Sequence, residues 1–93
     1  MIYAFVQLTI TDQDSFAAYA EQAGAALAKY GAKPEAMSAS PTRLEGDAPA
    51  PGRAVLLSFP DRQAAMGWIN DPELEAIHSL RRASGPCEIT LIG

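Results

Sequence analysis

Residues 53–86 read RAVLLSFPDRQAAMGWINDPELEAIHSLRRASGP, and this stretch decides the fold. Ala54 to Phe59 alternates as a strand, with Val55, Leu57 and Phe59 facing one way and Ala54, Leu56 and Ser58 the other. Phe59-Pro60-Asp61 is a sharp turn, and Asp61 caps a helix whose inner side carries Ala65, Trp68 and Ile69. Asn70-Asp71-Pro72 breaks that helix once and restarts it, with Asp as the cap and Pro at the first helical position. Leu74, Ile77 and Leu80 continue the buried stripe to about Ala83, and Gly85-Pro86 stops it. Strand and helix each have one thoroughly apolar side, so the unit must pack against a second of its kind.

Working outward, Ile2 to Ile10 is a strand with Ala4, Val6, Leu8 and Ile10 on an aliphatic face and Tyr3, Phe5, Gln7 and Thr9 on a larger, partly polar one. Asp12 caps a helix predicted from Gln13 to Tyr30, with Phe16, Tyr19, Ala20, Ala23, Leu27 and Tyr30 as its buried stripe and Gly31 as its stop. Prolines interrupt residues 33–52, which reads as an edge strand from Glu35 to Ser40, resuming at Thr42 to Glu45, followed by a loop from Gly46 to Gly52. The last strand, Cys87 to Ile92, sets Cys87, Ile89 and Leu91 against Glu88, Thr90 and Ile92. The order is strand, helix, strand, strand, helix, strand. It predicts a single α+β domain over 1–93, the ferredoxin-like βαββαβ antiparallel sheet with both helices on one face. The uncovered face would hold Tyr3, Phe5, Leu56 and Ile92, which is too much apolar surface to leave wet, so a second copy of the chain is expected to cover it.

Size and charge narrow the function classes. A chain of 93 residues buries only about 60 to 65% of its unfolded surface, which also favours a homodimer. With a net charge of -4 and basic residues that cluster only at Arg81-Arg82, it lacks the basic face that nucleic acid requires. Gln7, Thr9 and Ser58 offer no stacking platform for RNA on the sheet. No apolar run approaches the ~18 residues of a membrane helix, and the opening MIYAFVQLTI lacks a basic segment and a cleavage site. A soluble cytoplasmic protein with no membrane partner is expected. The single cysteine, Cys87, reads as a small buried hydrophobe.

Several short segments carry a resemblance. Leu44-Glu45-Gly46-Asp47, Ala54-Val55-Leu56-Leu57-Ser58-Phe59-Pro60, Ala64 to Leu74 and Leu80-Arg81-Arg82 together resemble the family catalogued as domain of unknown function 1330. The likeness runs from the opening strand through Tyr30-Gly31 to the closing ITLIG. It implies a dimeric α/β barrel in which two ferredoxin-like sheets face one another. The wider superfamily includes cofactor-free monooxygenases, muconolactone-isomerase-like enzymes and stress-responsive barrel proteins. Where many members of the family carry Arg-Gly-Gly and an acidic residue before Phe-Pro, this chain has Ser38-Ala39-Ser40 and Ser58.

Candidate chemistry is sparse. His78, the only histidine, lies three and four residues before Arg81 and Arg82, so the three share a helix face that reads either as an anion site with an acid–base histidine or, as the plainer expectation, as a solvated basic face. Glu45 and Asp47 flank Gly46, and read as a solvated turn or an acid–base pair. Trp68 reads as core or subunit contact. No second histidine and no cysteine pair completes a metal site, and no cofactor is expected. Between facing sheets, a ligand pocket would be walled by Tyr3, Phe5, Gln7, Leu56, Ser58, Glu88 and Thr90. Two functions compete: a homodimer that binds a small, mostly apolar molecule, and a cofactor-independent oxygenase or isomerase using His78, Glu45 or Glu88 as base. A regulatory amino-acid-binding domain fits less well, because Thr11-Asp12-Gln13 lacks the glycine that lets backbone approach a ligand.

Overall fold

The computed structural model describes residues 1–93, all of which are placed. Four strands, β1 (Ile2–Leu8), β2 (Lys33–Ser38), β3 (Arg53–Phe59) and β4 (Cys87–Ile92), form one sheet in the order β2-β3-β1-β4. Every pairing is antiparallel: Phe5 sits opposite Leu56 on β3 and opposite Thr90 on β4. Helices α1 (Gln13–Ala28), α2 (Arg62–Asn70) and α3 (Glu75–Ala83), with a 3-10 turn at Pro72–Leu74 between the last two, lie on the other side. This is the predicted α+β, ferredoxin-like arrangement.

Period-two alternation explains which face the helices cover. Ala4, Val6, Leu8, Leu57 and Phe59 are all buried, and they join Ala26, Leu27, Ala65, Trp68 and Leu74 in the interior. On the bare face Tyr3, Phe5 and Ile92 remain 38, 37 and 56% exposed.

Local signals act as read, with small shifts in boundary. Asp12 accepts from the Ser15 N–H and Asp61 from the Ala64 N–H, so both helix starts are capped by side chains. β2 begins two residues earlier than expected and runs through Pro34, which an edge strand tolerates, and it is irregular between Pro34 and Ala36. Residues 42–45 form no strand. β1 ends at Leu8 because the next residues leave for a corner: the N–H groups of Thr9, Thr11 and Asp12 donate to the carbonyls of Pro86, Ser84 and Ser84 at 3.0, 2.7 and 3.1 Å. Gly85 makes the corner possible. Its φ is +147°, and a Cβ there would fall 1.9 Å from the Thr9 carbonyl oxygen.

The helix break is also the clasp that holds α1 to the other helices. Asp71 accepts from the Glu73 N–H at 2.8 Å, from Lys29 Nζ at 2.6 Å and from the Tyr30 hydroxyl at 2.7 Å. These donors, Lys29 first, hold its carboxyl down at about 2, and the Asp71 carboxylate in turn raises the Lys29 ammonium and the Tyr30 phenol above their usual ranges. The end of α1 is thereby pinned to the junction between α2 and the 3-10 turn, and Tyr30 lies against Gly67, where a Cβ would come within 2.7 Å of its ring.

Candidate functional site

α1 does not close down on the sheet along its whole length. A pocket of about 250 Å³ remains between α1 and the covered face of β1 and β3, with Phe16, Tyr19, Ala23 and Leu27 above and Val6, Leu8, Val55 and Leu57 below. Trp68, Arg81 and Ile89 wall one side and Arg53 another, while Pro34, Met37 and Ala20, all exposed, form the mouth beside the edge strand. The small residues Ala20, Ala23 and Gly24, where α1 borders the pocket, leave this space unfilled.

The innermost wall is polar and ordered. His78 is 0% exposed; its Nε2–H donates to the Trp68 carbonyl at 2.8 Å, and its Nδ1 accepts from Arg81 Nη1 at 2.7 Å. Because a guanidinium can only donate, the imidazole is neutral with its proton on Nε2. Burial, the largest cause, lowers the His78 pKa, and the neighbouring Arg81 and Arg82 charges act in the same direction. Trp68 packs edge-on against His78, ring centres 4.8 Å apart, and against Phe59 at 5.6 Å. The Arg81 guanidinium, in a residue only 3% exposed, sits 5.4 Å from the Trp68 ring and 5.8 Å from that of Tyr19. Arg53 lies 4.9 Å over Phe16 and donates weakly to Met37 Sδ at 3.7 Å.

The solvated basic face therefore does not exist. Of its three members only Arg82 is exposed, and it pairs with Glu75 at 2.8 Å, whereas His78 and Arg81 are interior. The spacing was available to reveal this. Counting four and seven residues on from Leu74 lands on His78 and Arg81, in the same stripe, but their polar character outweighed their position.

The seven residues expected to wall a pocket do share the helix-free face, opposite one another in register as Tyr3–Ser58, Phe5–Leu56, Phe5–Thr90 and Gln7–Glu88. They form an open surface in the single chain. Phe5 and Gln7 also border a hollow of about 340 Å³ whose other side is the 41–51 loop, including Glu45. Ser58 is buried and donates to Glu35 at 2.8 Å, so the irregular edge strand brings a carboxylate beside the residue that precedes the Phe-Pro turn. Glu45 and Glu88 are exposed. Cys87 is half-buried beside Arg81, and burial raises its thiol pKa. No cluster of three or more His, Cys, Asp or Glu side chains could hold a metal ion, and no helix is long and apolar enough to cross a membrane.

Comparison with known proteins places this geometry in context. A family model described as "Domain of unknown function (DUF1330)" matches residues 1–93. Among solved structures, the fold is similar to that of a protein of unknown function from Rhodopseudomonas palustris, with TM-score 0.79 and 16% identity over 98% of this chain and 79% of that one. A dimeric ferredoxin-like protein of unknown function from Jannaschia sp. CCS1 follows with TM-score 0.71 and 14% identity over 99% and 97% of the two chains. An antibiotic biosynthesis monooxygenase gives 0.61 and 16% over 100% and 97%. At these identities the likeness is one of fold. No curated protein matches the sequence.

Proposed function

Because the chain belongs to the DUF1330 family, whose description carries a domain and no reaction, we propose from the geometry that it is a homodimer whose subunits each bind a small, mostly apolar molecule beneath α1. The observation that carries the reading is the pocket of about 250 Å³ between α1 and the sheet, bordered by side chains that are apolar except at Trp68, Tyr19, Arg53 and Arg81. It exceeds the roughly 150 Å³ cavity that accepts benzene. Dimerisation uses the opposite face: Tyr3, Phe5 and Ile92 are large, apolar and exposed together, and the Jannaschia protein of the same fold is a dimer. On this reading the seven residues Tyr3, Phe5, Gln7, Leu56, Ser58, Glu88 and Thr90 serve mainly as subunit contact, with the hollow at Phe5 and Gln7 as a subsidiary space.

The alternative, a cofactor-independent oxygenase or isomerase, is favoured less. Both ring nitrogens of His78 are engaged, Glu45 and Glu88 face solvent, and no carboxylate lines the pocket under α1. Binding is tested by titrating octan-1-ol and following the fluorescence of Trp68, the only tryptophan, which stands in the pocket wall. A saturable change is expected, and a flat response across the alcohol's solubility range discards the reading. Multi-angle light scattering decides the dimer: a particle of 9.9 kDa at micromolar concentration would refute it.

A further inference from the structure

Three buried side-chain nitrogens lack a hydrogen-bond partner: Nε of Arg53, Nε1 of Trp68 and Nε of Arg81. All three residues line the pocket under α1. All three groups are donors, with no orphaned acceptor beside them. Neither arginine has a carboxylate within salt-bridge distance, since the ion pairs of the chain involve Lys29, Lys33 and Arg82, and the pocket wall contains no Asp or Glu.

This is not a shortage of acids, because the chain has 11 of them against 7 lysines and arginines. A buried guanidinium without a counter-charge is costly. The rings of Phe16, Tyr19 and Trp68 offset part of that cost by lying against the two cations. What they do not supply is an acceptor. From this we infer that the occupant of the pocket is an organic anion: an apolar body of one ring or a medium-length chain that ends in a carboxylate, paired with Arg81 at the inner wall and drawn in by Arg53.

A guanidinium suits this task because its fixed fork can donate two parallel bonds to one carboxylate. His78 serves as a positioning residue: by accepting from Arg81 Nη1 while its own Nε2–H is tied to the Trp68 carbonyl, it fixes the fork's orientation. The inference rests on the binding reading above and adds the charge of the ligand to it.

Three probes of equal chain length separate the two. Octanoate, octan-1-ol and octylammonium are titrated against the whole protein at neutral pH, with Trp68 fluorescence as the readout. Octanoate is expected to bind about tenfold or more tighter than the alcohol, with the ammonium weakest. Arg81→Met removes the advantage of the acid over the alcohol, Arg53→Met reduces it by a smaller factor, and added salt narrows the gap. Alcohol binding as tight as acid binding overturns the anion inference and leaves the pocket reading standing; silence from all three probes overturns both. Should Arg81→Met fail to fold by circular dichroism, the wild-type order of acid, alcohol and ammonium decides alone.

Discussion

The two faces of the sheet share strands, register and alternation, yet they are finished differently. The helix side packs around Phe59, Trp68 and Leu57, and its pocket under α1 contains both arginines that lack a carboxylate partner. The bare side leaves Tyr3, Phe5 and Ile92 in the open and satisfies its polar groups locally, Ser58 on Glu35 being the clearest case. The contrast teaches that apolar area and binding chemistry separate in this fold. On the face with the most exposed grease no buried side-chain donor is left unsatisfied, whereas the three that are unsatisfied collect where the chain already covers itself.

That contrast can be broken most severely at the corner both layers share. Gly85→Ala places a methyl group against the Thr9 carbonyl in a backbone conformation that L-residues avoid, so a loss of at least about 3 kcal/mol is expected. Melting should fall by more than about 12 °C if the variant folds at all. An unchanged melting curve would mean that the crossing is looser than its hydrogen bonds indicate.

The faces are next compared directly by truncation. Phe59→Ala, at a residue 1% exposed, should cost about 3 to 5 kcal/mol in denaturant unfolding. Phe5→Ser, at a residue 37% exposed, should leave the subunit within about 1 kcal/mol of its stability while shifting the light-scattering mass toward the monomer. Equal costs at the two sites, with no change in mass, would erase the distinction between the faces.

Acidity probes the inner wall alone. His78 has its pKa lowered in the folded chain by burial, so below the unfolded value of about 6.5 the unfolded state binds more protons and stability falls as pH drops. The contribution is fully present above that pH and lost on acidification. The Asp71 carboxyl, held at about 2, acts in the same direction only below about pH 4. Melting temperature followed from pH 7.5 to 5 should therefore decline in the wild type and flatten in His78→Gln. A wild-type profile that is level over this range would place the imidazole in contact with water after all.

The smallest expected change sharpens the comparison at the pocket roof. Gly24 lies in α1 with nothing within 4 Å of where a Cβ would stand, so Gly24→Ala should stabilise by about 0.5 to 1 kcal/mol through helix propensity. Its methyl also narrows the pocket, so octanol affinity should drop slightly as the melting point rises. A gain in both would place Gly24 outside the binding space.

The fold was legible because its signals are local. Alternation in Ile2–Leu8 and Arg53–Phe59, Asp12 and Asp61 as caps, and Asp71-Pro72 as a restart each act within a few residues. The site was not legible, because it depends on what α1 fails to fill. An unfilled volume has no sequence periodicity; it arises from Ala20, Ala23 and Gly24 meeting Val6, Val55 and Leu57 across the layers. His78 and Arg81 are hard to place from sequence for a related reason: residue type argues for solvent, and only their spacing from Leu74 argues for the interior. Glu35 was hidden by the irregularity in β2, which moves the residue off the simple two-residue period.

The corner at Gly85 also has a consequence in time. Thr9, Thr11 and Asp12 find their carbonyl partners on Ser84 and Pro86, more than seventy residues further along, and these bonds seat the start of the helix that roofs the pocket. A ribosome has delivered all but the last strand before that roof can settle. During synthesis the arginine-lined hollow is therefore among the last features to be completed, and a nascent chain halted before Ser84 would present the roof helix tied at its Lys29–Tyr30 end alone.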